Sequence, residues 1–201
     1  MNSTFFFMIL NALAGLFLVS AQIAYIRKLL KKEITPSAIT WLGWSLLVGI
    51  ALVSQWQEMG WNWSLVGHFF SATGCGFIFI FTLLSKNYVI RPNDWVYLLL
   101  GLGCVIVYLS SSDALLTTLF TILADAIIGI PTILKAIKNP ATEKTSGWNI
   151  SMICWTLTLV TCIGNDLIFW LFPTYCLLFN GAMSLLTRNR KIQKQDGVAF
   201  G

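Results

Sequence analysis

Long stretches without a charged residue alternate with short polar segments along this chain. The charge-free runs cover residues 1–26, 34–57, 59–85, 95–112, 114–134 (broken only by Asp125), 145–165 and 167–187. A helix of about 20 apolar residues crosses the hydrocarbon core of a membrane. Each run reaches about that length, so the pattern predicts seven transmembrane helices. The fourth run is the shortest, and we expect it to form the shortest helix.

The composition supports a membrane class. Of 201 residues, 57% are hydrophobic and 10% are charged, whereas soluble domains carry about 25% charged residues. The fold class expected is therefore an all-α integral membrane protein with lipid as a partner. The single histidine, His68, offers no metal cluster, and we expect neither a metal nor a cofactor. Five cysteines lie inside apolar runs without a C-x-x-C pair, which favours small buried hydrophobes over disulfides: Cys75, Cys104, Cys154, Cys162 and Cys176.

The basic residues indicate an orientation. All thirteen fall in the first, third and fifth loops or in the tail: Arg27, Lys28, Lys31, Lys32, Lys86, Arg91, Lys135, Lys138, Lys144, Arg188, Arg190, Lys191 and Lys194. The even loops carry only Glu58, Asp113 and Asp166. Under the positive-inside rule the N-terminus is outside and the C-terminus cytoplasmic. We expect a multi-pass protein of a bacterial inner membrane, with no nucleic-acid partner.

The first apolar run has the opposite polarity to a signal peptide. No basic residue precedes the stretch 5–18, and four basic residues follow it closely. This order is typical of an uncleaved first helix whose N-terminus lies outside.

The chain also carries an internal duplication. Residues 20–44 and 124–155 both read as helix, basic loop, helix. A shift of about 110 residues superposes Lys28 on Lys138. Two triplets joined by one linker helix have the same orientation, and such parallel repeats are related by an axis along the membrane normal. A binding site is then expected where the two triplets meet.

This duplication divides the chain into a three-plus-one-plus-three arrangement of two parallel triple-helix bundles and a linker. The predicted boundaries are 1–86 for the first bundle, 87–112 for the linker helix, 113–188 for the second bundle and 189–201 for a cytoplasmic tail.

The repeat resembles the PQ-loop superfamily, which includes SWEET sugar transporters, SemiSWEETs and PnuC-type vitamin transporters. The motif of that superfamily is Pro-Gln late in the first helix of a triplet, then a basic loop and a helix start with Ser or Gly. The first copy keeps Gln22 with Ala21 in place of the proline, and Pro36 and Ser37 stand near its next helix start. The second copy keeps Pro131, Lys138, Ser146, Gly147 and Ser151.

The resemblance implies a transporter that moves a small polar solute by alternating access. In SWEET-like proteins the third helix of each triplet supplies an Asn to a central pocket, and the second helices supply aromatic residues. Asn180 resembles the second of those asparagines, while Ser71 and Thr73 are polar residues at the corresponding depth of helix three. Trp44 and Trp155 match the aromatic pair.

Polar groups at membrane depth indicate the same region, because they are costly unless paired or facing water. Asp125 is the one carboxylate expected inside a span; it suits a proton or cation site, a substrate contact, or a neutral acid bonded to a neighbouring helix. Gln22 and Asn11 are intramembrane amides of the first helix. Pro131 removes a backbone donor, and we expect it to kink helix five as a hinge.

The sequence contains no catalytic triad, metal cluster or phosphate loop, so we expect no enzyme. Two alternatives to a transporter stay open at this point: a seven-helix receptor or sensor, and a structural membrane protein whose polar groups pack helices. The expected partners are a small solute and lipid, and self-association into a homo-oligomer is compatible with this pattern.

Overall fold

The computed structural model describes residues 3–59, 65–111, 113–164 and 166–188. The predicted tail 189–201 and the loop tryptophans Trp61 and Trp63 therefore lie outside the described residues. Seven α-helices occupy the described ranges, and no β-strand occurs there. They are α1 (Ser3–Leu30), α2 (Ala38–Met59), α3 (Leu65–Ser85), α4 (Pro92–Ser110), α5 (Ala114–Lys138), α6 (Gly147–Thr161) and α7 (Ile168–Arg188), with a short 3₁₀ helix at Pro140–Glu143.

Within the described residues, four helical segments are long and apolar enough to cross a membrane, which indicates a membrane-embedded helical protein. They are Phe5–Leu30, Gly67–Ser85, Leu115–Lys138 and Ile168–Arg188. The outer surface agrees, since large apolar side chains such as Leu84, Leu99 and Leu185 are about seven-tenths exposed. Such a surface suits lipid.

The expectation that the fourth helix would be the shortest is wrong. Helix α4 has 19 residues, whereas α6 has 15. The charge-free run 145–165 extends beyond α6 at both ends. The helix begins only at Gly147, and the chain leaves it in a turn that reaches a positive φ of 86° at Gly164. An apolar run bounds a helix but does not place its caps.

The helices pack in a regular pattern. Helix α3 contacts both α1 and α2, and α7 contacts both α5 and α6. Between these two groups, α1 packs on α6 and α2 packs on α5. Helix α4 contacts α2 and α5. The hydrophobic core lies along these contacts and contains Tyr25, Trp41, Trp44, Ile128 and Trp148.

The three basic loops meet at one end of the bundle, which we call the basic-loop end. The Thr35 amide donates to the Thr142 carbonyl at 2.9 Å, which joins the first loop to the fifth. The Val89 amide donates to the Pro36 carbonyl at 3.0 Å, which joins the third loop to the first. The 3₁₀ helix of the fifth loop also contacts α7. The loops that the sequence grouped by charge are therefore neighbours in space.

Two helices run through internal prolines. Helix α5 continues through Pro131 and α7 through Pro173. A proline has no N–H to donate to the carbonyl four residues earlier. In α7 that carbonyl belongs to Phe169, and the Cys162 thiol approaches it at 3.3 Å as a substitute donor. A neighbouring side chain thus stabilises the break in the backbone ladder.

Candidate functional site

Asp125 lies where α2, α5 and α7 meet. Its Oδ2 accepts a hydrogen bond of 2.7 Å from the Tyr175 hydroxyl of α7. Its backbone carbonyl accepts one of 3.3 Å from the Trp44 indole of α2. The side chain is half-buried. The structure therefore brings together Asp125 and Trp44, which the sequence singled out separately, and adds Tyr175.

A row of aromatic rings runs past Asp125. Ring centroids are 5.9 Å apart for Trp155 and Phe172, 6.2 Å for Phe172 and Tyr175, 6.1 Å for Tyr175 and Phe179, and 5.5 Å for Phe179 and Trp44. Phe172, Tyr175 and Phe179 recur at helical spacing and share one face of α7. The row links Trp155 of α6 to Trp44 of α2. We call Asp125 and these five rings the central seam.

Asn180 follows Phe179 directly on α7 and is buried. Its Nδ2 donates to the Cys176 carbonyl at 2.8 Å, one turn earlier in the same helix. The amide nitrogen is thus bound within α7 in this conformation, and contact between Asn180 and a substrate stays a prediction.

The other predicted polar residues lie on α1 and α3. Gln22 donates from Nε2 to the Phe70 carbonyl at 3.1 Å and packs directly against Gly74. Thr73 donates to the Phe69 carbonyl of its own helix at 2.6 Å. Ser71 is half-buried on the same helix. Ser71 contacts the Cys75 thiol one turn further along α3, and that thiol lies within electrostatic range of Asp125. No contact described for Gln22 or Thr73 reaches Asp125, so the structure does not bring these two together with the central seam.

Pro131 is buried in α5, between Asp125 and the basic-loop end. Near it, the Thr40 hydroxyl of α2 donates to the Ile128 carbonyl at 3.1 Å. The adjacent Thr132 hydroxyl is buried and has no hydrogen-bond partner. Helix α5 is continuous through this stretch, and its role as a hinge stays a prediction.

Lys135 was assigned to a loop by its place in a basic cluster, and that assignment is wrong. It lies in the last turn of α5, and its side chain is 4% exposed. Its Nζ forms an ion pair of 2.6 Å with Glu143 Oε1, whose side chain is fully buried, and also donates to the Thr35 carbonyl. The correction has a physical reason, because burial of an amine requires a partner that local sequence does not reveal.

Glu143 is the centre of a larger polar network. Its Oε2 accepts a hydrogen bond of 2.7 Å from the Tyr25 hydroxyl of α1. The Trp41 indole of α2 donates to that hydroxyl at 3.2 Å, and the Trp148 indole of α6 donates to the Glu143 carbonyl at 2.9 Å. We call these four residues and Lys135 the basic-end network. It joins α1 and α2 to α5 and α6.

Sequence reasoning missed the residues that complete both sites. The spacing of Phe172, Tyr175 and Phe179 on α7 was available as a signal. Tyr25 stands at the position that the repeat shift superposes on Lys135, so the duplication also marked it. Glu143 gave no signal, because a carboxylate inside a basic loop has the pattern of a solvated residue.

The remaining candidate residues and the surface clefts lie away from the central seam and the basic-end network or take no described part in them. His68 is half-buried near the start of α3, and Asn11 is exposed on α1. The five cysteines are free thiols. In the described ranges no group of three or more His, Cys, Asp or Glu residues could hold a metal ion. Two surface clefts lie elsewhere, one beside Gln22 and Gly74 and one along α6 beside Asn149 and Thr156.

Comparison of the chain with protein-family models, with curated proteins and with solved structures finds no match.

Proposed function

We propose that this protein is a transporter that moves a small polar solute by alternating access between two triple-helix bundles. The observation that carries the proposal is the position of Asp125. A carboxylate at membrane depth is costly unless it serves a site or a strong pair. Asp125 lies at the meeting point of helices from both halves of the chain, with Trp44 from one half and Tyr175 from the other.

The helix contacts support the three-plus-one-plus-three arrangement. In each proposed bundle the third helix packs on the first two, and the contacts of α1 with α6 and of α5 with α2 are equivalent under the repeat. Helix α4 contacts α2 and α5 as a linker. The resemblance to the PQ-loop superfamily adds to this proposal. All seven helices would then cross the membrane, with α6 as the shortest.

The orientation belongs to the same proposal. The three basic loops share one end of the bundle, and the positive-inside rule assigns that end to the cytoplasm. The basic-end network then closes the cytoplasmic end between the bundles. Access from that side requires Lys135 and Glu143 of the second half to separate from Tyr25, Thr35 and Trp41 of the first.

The proposed solute contacts are Asp125, Trp44, Trp155 and Asn180 along the central seam. Ser71 would contribute beside Cys75, near Asp125. Gln22 and Thr73 would contribute only after a rearrangement of α1 against α3, and Pro131 would supply the hinge that changes the angle of α5. The alternatives are a receptor or sensor and a structural membrane protein, in which the bundles would not move against each other.

A cross-link across the basic-loop end tests the proposal. Thr35→Cys and Thr142→Cys, in a background with the native cysteines replaced, join the two halves where their backbones are bonded. Purified protein in liposomes is offered labelled sugars, nucleosides, amino acids and ammonium compounds. At least one solute should enter above the level of empty liposomes. A short cleavable cross-linker should abolish its uptake, and reductant should restore it.

The matched control is Ser37→Cys with Val89→Cys. This pair is equally close at the same end, but it joins the first bundle to the linker rather than to the second bundle. Cross-linking it should leave uptake in place. Uptake that is unaffected by the Thr35–Thr142 cross-link, or no uptake of any solute, would contradict alternating access and favour a receptor or structural role.

A further inference from the structure

Among the described residues, Asp125 has aromatic neighbours and no ion-pair partner. Its described polar partners are the Tyr175 hydroxyl and the Trp44 indole. Ion pairs within the described residues join Lys28 to Glu33 and Lys135 to Glu143, and none of them includes Asp125. An acid at membrane depth normally pairs with a base, a backbone group or water. An ionised Asp125 therefore has no described side chain to neutralise it, and a bound cation would supply the missing positive charge.

The central seam has the chemistry of a cation site. The face of an aromatic ring attracts an ammonium group, and indole and phenol rings do so more strongly than benzene. Two tryptophans and one tyrosine belong to the seam. Trp155, Phe172, Tyr175 and Phe179 are each only half-buried, as is Asp125, so part of each surface is uncovered.

The same residues are poorly suited to a sugar. Recognition of a sugar needs many hydrogen-bonding side chains, because each hydroxyl of the ligand loses its water. The seam offers one carboxylate, one phenol and two indole N–H groups, and the Trp44 indole already donates to the Asp125 carbonyl. The nearby Asn180 amide nitrogen already donates to its own helix.

We propose that the solute is a small organic ammonium ion. Its charge lies against the Asp125 carboxylate, and its alkyl groups lie against the half-buried rings of Tyr175 and Trp155. That the bound ion is transported rests on the proposed function, whereas the binding itself does not.

A pair of probes of equal shape tests the charge directly. Choline carries a quaternary ammonium, and 3,3-dimethyl-1-butanol replaces its nitrogen with carbon and is neutral. Calorimetric titration of the purified wild-type protein at constant salt should give choline an affinity at least about tenfold higher than the alcohol. Methylammonium and tetramethylammonium extend the series. Equal affinity for choline and the alcohol, or no binding of any of the three cations, overturns the proposal.

Two variants locate the site. Asp125→Asn keeps the size of the side chain and should reduce the preference for choline to the part that the rings supply. Asp166→Asn removes an exposed acid at the opposite end from the basic loops and should leave the full preference in place. An undiminished choline preference in Asp125→Asn overturns the assignment. If Asp125→Asn does not fold, the wild-type comparison with Trp155→Ala decides, since loss of a ring should weaken choline more than the alcohol.

Uptake into liposomes separates this inference from the proposed function. If choline binds but does not enter the liposomes, the result supports the cation site and contradicts the proposed transport. If a neutral solute enters and choline does not compete with it, the result supports transport and contradicts the cation site.

Discussion

Lys135 and Asp125 lie about 15 Å apart along α5, and the protein surrounds their charges in opposite ways. Lys135 is buried against Glu143, and the Tyr25 hydroxyl and a backbone carbonyl complete the hydrogen bonds of the pair. Asp125 is half-buried, and no described basic side chain pairs with it. The Lys135 charge is paired within the chain, whereas Asp125 forms no ion pair among the described residues.

A buried ion pair and a half-buried carboxylate suit different roles. A buried pair whose hydrogen bonds are satisfied holds two elements in one arrangement, and removing either partner leaves an uncompensated charge. A lone carboxylate among rings stabilises the fold little, but it can interact with a ligand in a medium of low dielectric constant. Under the proposed function, the basic-end network closes one end while the central seam holds the solute.

The largest effect is expected from breaking the ion pair on one side only. Lys135→Met leaves the Glu143 carboxylate buried without its cation and should lower the free energy of unfolding by about 3–5 kcal/mol. Unfolding of the purified protein by a denaturing detergent in mixed micelles measures the loss.

The double variant Lys135→Met with Glu143→Gln is the matched control. Because it removes both charges, it should recover a large part of the loss from the single variant. Additive losses in the double variant would show that the two residues do not act as a pair.

An intermediate effect is expected at Gly129, which lies on α5 between the two sites. A Cβ atom there would stand 2.9 Å from Phe179 Cε2 and 3.3 Å from Trp44 Cζ2. Gly129→Ala should therefore displace a ring of the central seam and lower the free energy of unfolding by about 1–3 kcal/mol. Thermal unfolding followed by loss of monodisperse protein measures the change.

Gly103→Ala provides the control on α4. Apart from the neighbouring backbone of α4 itself, no described atom lies within 4 Å of a Cβ built at that position. The substitution should raise stability by up to about 1 kcal/mol, since alanine loses less backbone entropy than glycine in a helix. If both variants shift stability in the same direction, close packing at Gly129 is not the cause.

A smaller effect is expected for Tyr175→Phe, which removes the hydroxyl donor to Asp125 and keeps the ring. The loss of one hydrogen bond should lower the free energy of unfolding by about 0.5–1.5 kcal/mol. Detergent unfolding should show it, beside Tyr88→Phe as an exposed control without effect. A loss as large as that of Lys135→Met would mean that the central seam is as structural as the basic-end network.

The smallest effect is expected at the exposed pair of Lys28 and Glu33 in the first basic loop. The hydrogen bond and charge of Lys28 hold the pKa of Glu33 below its ordinary value. A lowered folded-state pKa contributes stability above the unfolded value of about 4.3, and that contribution is lost as pH falls through the lower folded-state pKa.

At neutral pH the Glu33→Gln variant should therefore have a slightly lower free energy of unfolding than wild type. This deficit should become smaller as the pH falls below that range. High salt should reduce the deficit at neutral pH as well, because exposed pairs are screened. Detergent unfolding at several pH values checks this. A deficit that grows on acidification would contradict the assignment.

Several features followed from local patterns alone. Charge-free runs predict helices because the backbone must satisfy its own hydrogen bonds in lipid, and seven helices occupy the described ranges. Clusters of Lys and Arg marked the loops that meet at one end. Asp125 and Trp44 were identified as polar or aromatic groups at membrane depth. Each of these inferences depends on the residues of a single segment, so it can be made from one sequence.

Tertiary structure decided the partners. Tyr25 and Glu143 are 118 residues apart in the chain, and their hydrogen bond depends on how α1 packs beside the fifth loop. The burial of Lys135, the approach of Tyr175 to Asp125 and the row of rings depend likewise on helix packing. The hydrophobic pattern of a segment indicates whether that helix is stable in lipid. Contacts between helices depend on side-chain shapes and distances that only the packed bundle defines.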